Sequence, residues 1–273
     1  MPHLLGVDFT SAPTKRKPIT VARGSLDGTR VTLQRVDVLD SFAAFEAVLR
    51  EPGSWLGAFD FPFGLPREFV LDHALGSDAV SAVRAIRRRC AKRMDFRALV
   101  DAWGNGRPAG QRLIHRATDT AMNGVRSTSP LQTRYVPVGF MHYEGFARLA
   151  AARVHLPCIA EGDPVRVALE AYPGLLAHEL IGRRSYKNRD DAERLFARKD
   201  LLEALEQGRT RLGLRVAMTH AQRDSLAADA NGDRLDAVLC LIQAAWASTQ
   251  PGYGLPAGVD PIEGWIVSAA ITP

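Results

Sequence analysis

The chain has 273 residues, of which 46% are hydrophobic and 24% are charged, and these values are typical of a globular protein with a substantial core. No apolar run reaches the roughly 18 residues of a membrane span, so we expect no membrane segment. The three cysteines are far apart and form no CxxC or Cys/His spacing, which excludes the usual zinc-site patterns. The net charge of +5 permits an anionic partner.

The N-terminal residues lead directly into a strand pattern, without the apolar segment of a signal peptide. The odd number of cysteines fits a reducing compartment. We therefore expect a cytoplasmic protein.

The first sixty residues predict a three-strand meander, a short helix and a buried parallel strand. Strand patterns cover residues 3–9, 20–23 and 30–36, with a turn at Asp27-Gly28 between the last two. A helix is predicted over residues 42–50, with Ser41 as its N-cap. Residues 55–61 are apolar apart from Asp60, which is typical of a central parallel strand.

The next segment, residues 67–155, predicts a helical insertion within a single domain that spans residues 1–273. It contains an arginine-rich helix pattern over residues 77–97, and it could form a lid or a partner-binding surface. A strand follows at 165–171, and helices are predicted at 175–180, 189–208 and 233–247. Asp233 is the predicted N-cap of the last helix.

Basic residues crowd two parts of the chain. Arg84, Arg88 and Lys92 share one face of the predicted arginine-rich helix, at spacings of four residues. A second cluster surrounds Lys187. These clusters are either solvated basic faces or contacts to a phosphate backbone. On the second interpretation, Arg88, Lys92 and Lys187 bind the phosphates of a substrate.

Five carboxylates lie where strands end or where the last helix begins: Asp8, Asp60, Glu170, Asp233 and Asp236. A charge in an apolar interior costs several kcal/mol unless it is paired or binds a metal. Ligands of α/β sheets bind beyond the carboxyl ends of the strands, and the spacing of Asp233 and Asp236 places both on one side of a helix. We therefore predict an acidic pocket that binds Mg²⁺ or Mn²⁺.

Such a pocket suits phosphodiester chemistry. Two divalent ions about 3.5–4 Å apart would neutralise the like charges and clamp the attacking and leaving oxygens. Individual residues also have structural alternatives. Asp8 could cap the turn that follows it, Glu170 could be an ion-pair partner, and Asp233 could be a simple N-cap.

These motifs resemble the family called domain of unknown function 429, a predicted nuclease family of the ribonuclease H-like superfamily. The similarity covers residues 4–66 and 165–267. It is carried by Gly6-Val7-Asp8, Asp60-Phe61-Pro62-Phe63-Gly64, Glu170-Ala171-Tyr172-Pro173 and Asp233-Arg234-Leu235-Asp236-Ala237. The resemblance implies an α/β fold with a ribonuclease H-like mixed sheet of five strands, helices on both faces, and a two-metal acidic site.

The resemblance also implies roles for single residues. Asp8 would be the first-strand aspartate, Asp60 or Glu170 the second acidic residue, and Asp236 the last-helix aspartate, with Asp233 beside it. Many members of the superfamily have a small residue soon after the first aspartate. This chain has Phe9 there, which we expect to point into the core.

The resulting hypothesis is a metal-dependent nuclease that acts on DNA or RNA, with Asp8, Asp60, Glu170 and Asp236 as catalytic residues. One alternative is a catalytically inert module that binds nucleic acid or a small ligand. Another is an ATP-dependent phosphotransferase of the actin-like kinase type, although the second half of the chain has no convincing glycine-rich phosphate loop. No nucleophilic triad is evident.

Overall fold

The computed structural model describes residues 2–121 and 124–269. In these residues seven strands form one mixed sheet, in the order β5-β6-β4-β1-β2-β3-β7. The first three strands form an antiparallel meander, while β4 runs parallel to β1 and β6 runs parallel to β4. The strands are β1 His3–Asp8, β2 Ile19–Asp27, β3 Arg30–Leu39, β4 Trp55–Asp60, β5 Val154–His155, β6 Asp163–Glu170 and β7 Arg215–Ala217.

The fold is mixed α/β as predicted, but the predicted strand number of five is too low. The two additional strands, β5 and β7, have two and three residues and form the two edges of the sheet. A strand this short has no recognisable alternation of apolar and polar residues. The five longer strands follow the five predicted segments.

Helices cover both faces of the sheet. They are α1 Phe42–Leu49, α2 Arg67–Asp72, α3 Ala79–Arg89, α4 Arg93–Asn105, α5 Ala117–Thr120, α6 Val138–Met141, α7 Ala147–Ala152, α8 Pro173–Ile181, α9 Ala192–Glu206, α10 His220–Ala228 and α11 Asp233–Ala247. The predicted N-cap of α1 is confirmed, because the Ser41 side chain accepts a hydrogen bond from the Ala44 amide. Within the described ranges, none of these helices is both long enough and apolar enough to cross a membrane.

Two apolar cores lie on opposite faces of the sheet. On one face, α8, α9 and α11 pack over a core that includes Leu4, Leu56 and Ala58. The other core is rich in aromatic residues. Phe9 lies in this aromatic core, is 3% exposed, and has its ring centroid 4.8 Å from that of Phe61. The expectation that Phe9 points into the core is therefore confirmed.

Gly6 allows α11 to lie directly on β1. A Cβ atom at this position would be 2.1 Å from the Ala237 carbonyl oxygen and 2.1 Å from the Leu241 nitrogen. Only a residue without a side chain permits such a close approach of two backbones. The close approach brings the first turn of α11 to the carboxyl end of β1.

The segment between β4 and β5 contains α2 to α7 and has an apolar core of its own. The prediction of one helix over residues 77–97 is wrong. α3 ends at Arg89, and the Lys92 amide donates to the Asp95 carboxylate at 2.8 Å, which caps the start of α4. Lys92 therefore does not share the helical face of Arg84 and Arg88.

Candidate functional site

Asp8 and Asp60 lie side by side at the carboxyl ends of two neighbouring strands. They are register partners in the parallel pair of β1 and β4. Side chains alternate along a strand, so Asp8 is on the same face as Gly6, and Asp60 is on the same face as Ala58. Both carboxylates therefore project from the face of the sheet that α11 covers.

Asp236, in the first turn of α11, completes a group of three carboxylates. Asp8, Asp60 and Asp236 each offer an oxygen atom such that these atoms lie within 4.8 Å of one another. Two oxygens bound to one Mg²⁺ are at most about 4.2 Å apart, since each Mg–O distance is about 2.1 Å. Small side-chain rotations would thus let the group hold one divalent ion through oxygen ligands alone.

Burial and mutual repulsion make this group costly in its charged form. Burial, followed by the charges of Asp236, Asp233 and Asp60, raises the pKa of Asp8 well above its usual value. Burial and then the charge of Asp236 raise the pKa of Asp60 to about 7. In the described part of the chain, no hydrogen bond to the Asp8 or Asp60 side chain lowers its pKa back toward the usual value. A bound cation would stabilise both carboxylates.

Asp236 also contacts two side chains from the loop before α9. Its two carboxylate oxygens accept hydrogen bonds from the Tyr186 hydroxyl and the Lys187 ammonium. Burial lowers the pKa of Lys187, but Asp236, Tyr186 and Asp60 together raise it, and the pKa lies well above its usual value. Lys187 is therefore a permanent positive charge at the edge of the acidic group.

Glu170 lies outside this group of three. Its register partner is Phe59 and not Asp60, so its side chain leaves the opposite face of the sheet. There the Arg116 guanidinium donates to both of its oxygens at 2.6 and 2.9 Å, and the Phe63 amide donates at 2.8 Å. The geometry matches the ion-pair alternative for this residue.

Asp233 also lies outside the group of three, although its charge contributes to the raised pKa of Asp8. The prediction that Asp233 is an N-cap is wrong. Gly232 occupies that position with a φ of 82°, and the Asp229 side chain accepts a hydrogen bond from the Arg234 amide. Burial and then the charge of Asp229 raise the pKa of Asp233 to about 6.

Arg88 and Lys92 are exposed. Lys92 lines an open groove together with Arg87, Arg93 and the loop that follows β1. Arg93 ties the two sides of this groove together, because its guanidinium donates to the Ser11 carbonyl oxygen at 3.3 Å. The groove begins three residues beyond Asp8, and its lining has three basic side chains and two acidic ones, Asp40 and Glu144.

No sequence pattern indicated the role of Arg116. This side chain is 2% exposed and holds Asp119, Glu170 and the Glu263 carbonyl oxygen in one network. It joins the helical segment, the end of β6 and the C-terminal segment. These residues are distant in sequence, so spacing alone could not reveal the contact. Tyr186, by contrast, is next to Lys187 in the sequence, so its place near the site could have been predicted from that neighbour.

A small pocket opens beside the acidic group. Its volume is about 230 Å³, and Asp60 and Lys187 belong to its lining. The remaining lining residues come mainly from the helical segment and from the end of β6: Phe61, Pro62, Arg116, Ser127, Thr128, Val136, Val138, Met141, Glu170, Ala171, Tyr172 and Ile266.

The fold and site define a mixed α/β protein with a carboxylate group at the carboxyl end of its central strands. The model of the family described as "Protein of unknown function (DUF429)" matches residues 6–260, and the chain belongs to this family. The match includes the three carboxylates and the helical segment. No curated protein and no solved structure matches the chain.

Proposed function

We propose that the protein is a metal-dependent nuclease with a ribonuclease H-like core, which hydrolyses phosphodiesters of DNA or RNA. The observation that carries the proposal is the convergence of Asp8, Asp60 and Asp236 within 4.8 Å. The five longer strands with helices on both faces are consistent with the sheet that the family resemblance implies.

The donor set fits Mg²⁺ or Mn²⁺, because all three groups are carboxylates and hard cations prefer oxygen ligands. When bound, these ions activate water and stabilise the negative charge that develops in phosphodiester displacement. Asp8, Asp60 and Asp236 would hold the ions. Lys187 would neutralise part of the phosphate charge, and Arg88 and Lys92 would contact phosphates farther along the strand.

Glu170 has a positioning role in this proposal. Its ion pair with Arg116 fixes the end of β6 against the helical segment. Because both oxygens already accept charge-assisted hydrogen bonds, Glu170 contributes less to metal binding than the three aspartates.

Calorimetric titration with Mn²⁺, followed by a cleavage assay on labelled DNA and RNA, tests the proposal. We expect Asp8→Asn and Asp236→Asn to weaken Mn²⁺ binding by roughly 100-fold or more, since even outer-shell partners contribute about 10–100-fold. Asp224→Asn is the matched control, because Asp224 is exposed on α10. Cleavage should require the metal and should be lost in both site variants but not in the control.

Other results would favour the alternatives. Mn²⁺ binding without cleavage of any nucleic acid would indicate an inert binding module. Thermal stabilisation by Mg²⁺-ATP, again without cleavage, would indicate a phosphotransferase. Absence of Mn²⁺ binding at millimolar concentration would contradict the metal site itself.

A further inference from the structure

The small pocket is continuous with the acidic group, because Asp60 and Lys187 border both. In the proposed reaction, a group attached to the phosphate that the carboxylates face would lie next to this pocket. In a nucleic acid, the groups attached to that phosphate are the sugar and base of one nucleotide. The inference in this subsection therefore rests on the proposed nuclease function.

The pocket has the size and chemistry for one flat ring. Its volume of about 230 Å³ is below the roughly 300–1,000 Å³ of pockets for drug-sized ligands. Val136, Val138, Met141 and Tyr172 supply apolar and aromatic walls, and Thr128 supplies an exposed hydroxyl group. The lining also contains charged side chains, but Arg116 is paired with Glu170 and Lys187 with Asp236. The remaining lining is largely apolar and suits a nucleobase better than a second charged phosphate.

An exposed aromatic residue lies next to one of these lining residues in the chain. Tyr135 precedes Val136 and is 99% exposed, while Val136 itself is 58% exposed. Tyr135 also has a φ of 58°, which is uncommon for a bulky residue. Tyr135 lines a second groove, which also contains Asp101, Arg112 and Arg134. An exposed aromatic ring beside charged groups is the usual platform on which an unpaired base stacks.

We propose that the site takes an unpaired nucleotide, whose base enters the pocket while a neighbouring base stacks on Tyr135. A base inside a duplex is paired and stacked on both sides, so it reaches such a pocket only after it leaves the stack. The substrate is therefore single-stranded or locally unpaired nucleic acid, and an intact duplex is a poor substrate. Lys187 lies where the phosphate of the captured nucleotide would pass.

Fluorescence anisotropy with two probes tests this inference on the full-length protein. The probes are a short fluorescein-labelled oligothymidylate and a blunt-ended duplex of the same length, each measured in EDTA and in Ca²⁺. Tyr135→Ala removes the stacking ring, and Tyr135→Phe retains it. Thr128→Trp places an indole ring at the pocket from an exposed position. Phe196→Ala is the control, because Phe196 is an exposed aromatic residue on α9 that does not line the pocket.

We expect the single strand to bind roughly tenfold more tightly than the duplex. Tyr135→Ala should weaken single-strand binding by roughly tenfold, whereas Tyr135→Phe and Phe196→Ala should bind as the wild type does. Thr128→Trp should abolish the preference for the single strand.

Equal affinity for both probes, binding of neither probe, or an unchanged affinity of Tyr135→Ala would overturn the inference. The readout is binding and not cleavage. A protein that prefers the single strand but never cuts it would refute the nuclease and leave the base pocket standing. A nuclease that binds both probes equally would refute the base pocket and leave the proposed nuclease function standing.

Discussion

At the scale of single residues, Asp60 shows what the acidic group costs the folded protein. Its carboxylate ends an apolar strand, next to Asp8 and near Asp236. No hydrogen bond from the described residues contributes to its pKa, so the fold alone positions it. Functional sites often hold charged groups that repel one another when no ligand is bound. This repulsion lowers the stability of the folded protein.

The Asp60→Asn substitution should stabilise the metal-free protein at pH 8. The change removes a charge that burial and Asp236 disfavour, and we expect a gain of about 1–3 kcal/mol in the free energy of unfolding. Urea unfolding in EDTA measures this gain. Asp224→Asn should change the free energy by less than about 0.5 kcal/mol. A loss of stability in Asp60→Asn would contradict the repulsion argument.

The same carboxylate predicts how stability depends on pH. The pKa of Asp60 is about 7 in the folded protein, whereas an unfolded aspartate has a pKa of about 3.9. Between these values the folded state binds the additional proton, so the free energy of unfolding should fall as the pH rises from about 4 to about 7. Urea unfolding at several pH values in EDTA should show this fall, with a shallower slope for Asp60→Asn.

Arg116 is the residue on which the buried network depends. Arg116→Ala leaves Glu170 and Asp119 buried without their partner, and we expect a loss of about 3–5 kcal/mol in the free energy of unfolding. Arg134→Ala is the matched control, because Arg134 pairs with Asp101 at the surface, where an ion pair contributes about 0–1 kcal/mol. Similar losses in the two variants would show that the network is not essential.

At the scale of secondary-structure elements, the site depends on the contact between α11 and β1. The helix carries Asp236 and the strand carries Asp8, so the spacing of the two elements sets the distance between the two carboxylates. Gly6 sets that spacing. The geometry of the proposed metal site therefore depends on how closely α11 packs against β1.

The Gly6→Ala substitution should weaken both packing and metal binding. The added methyl group would meet two backbone atoms at 2.1 Å, so α11 must move, at a cost of about 1–3 kcal/mol or more. We expect Mn²⁺ affinity, measured by calorimetry, to fall as well. At Gly106 an added Cβ makes only an ordinary contact at 3.6 Å, so Gly106→Ala is the control. Unchanged Mn²⁺ affinity in Gly6→Ala would show that metal binding does not depend on the position of α11.

At the scale of the whole molecule, charge is unevenly distributed. The chain has a net charge of +5 although it concentrates carboxylates at one end of the sheet. Exposed basic residues near the loop after β1 form the groove that contains Lys92. A strand of nucleic acid could follow this groove toward the acidic group, and neutralisation of each phosphate would release counterions.

Salt dependence tests this path. The logarithm of the association constant for the oligothymidylate should fall linearly with the logarithm of the salt concentration. Lys92→Gln should reduce that slope by about 0.7, the value for one phosphate contact on a single strand. Lys199→Gln, an exposed change on α9, should leave the slope as it is in the wild type. An unchanged slope in Lys92→Gln would show that the nucleic acid does not contact Lys92.

The sequence by itself determined the mixed α/β class, the five longer strands, the position of α11 and the candidacy of Asp8, Asp60 and Asp236. These features are encoded locally, because apolar periodicity and a charge inside an apolar strand are visible over a few residues. The edge strands were missed because two or three residues carry no period.

Only the tertiary structure decided which carboxylates meet. A shift of one residue in strand register moves a side chain to the other face of the sheet. The observed register pairs Asp8 with Asp60 but pairs Glu170 with Phe59. Arg116, the small pocket and the exposed Tyr135 beside it likewise depend on contacts between distant segments. Register and long-range contacts are set by the packing of the whole chain, and no local pattern records them.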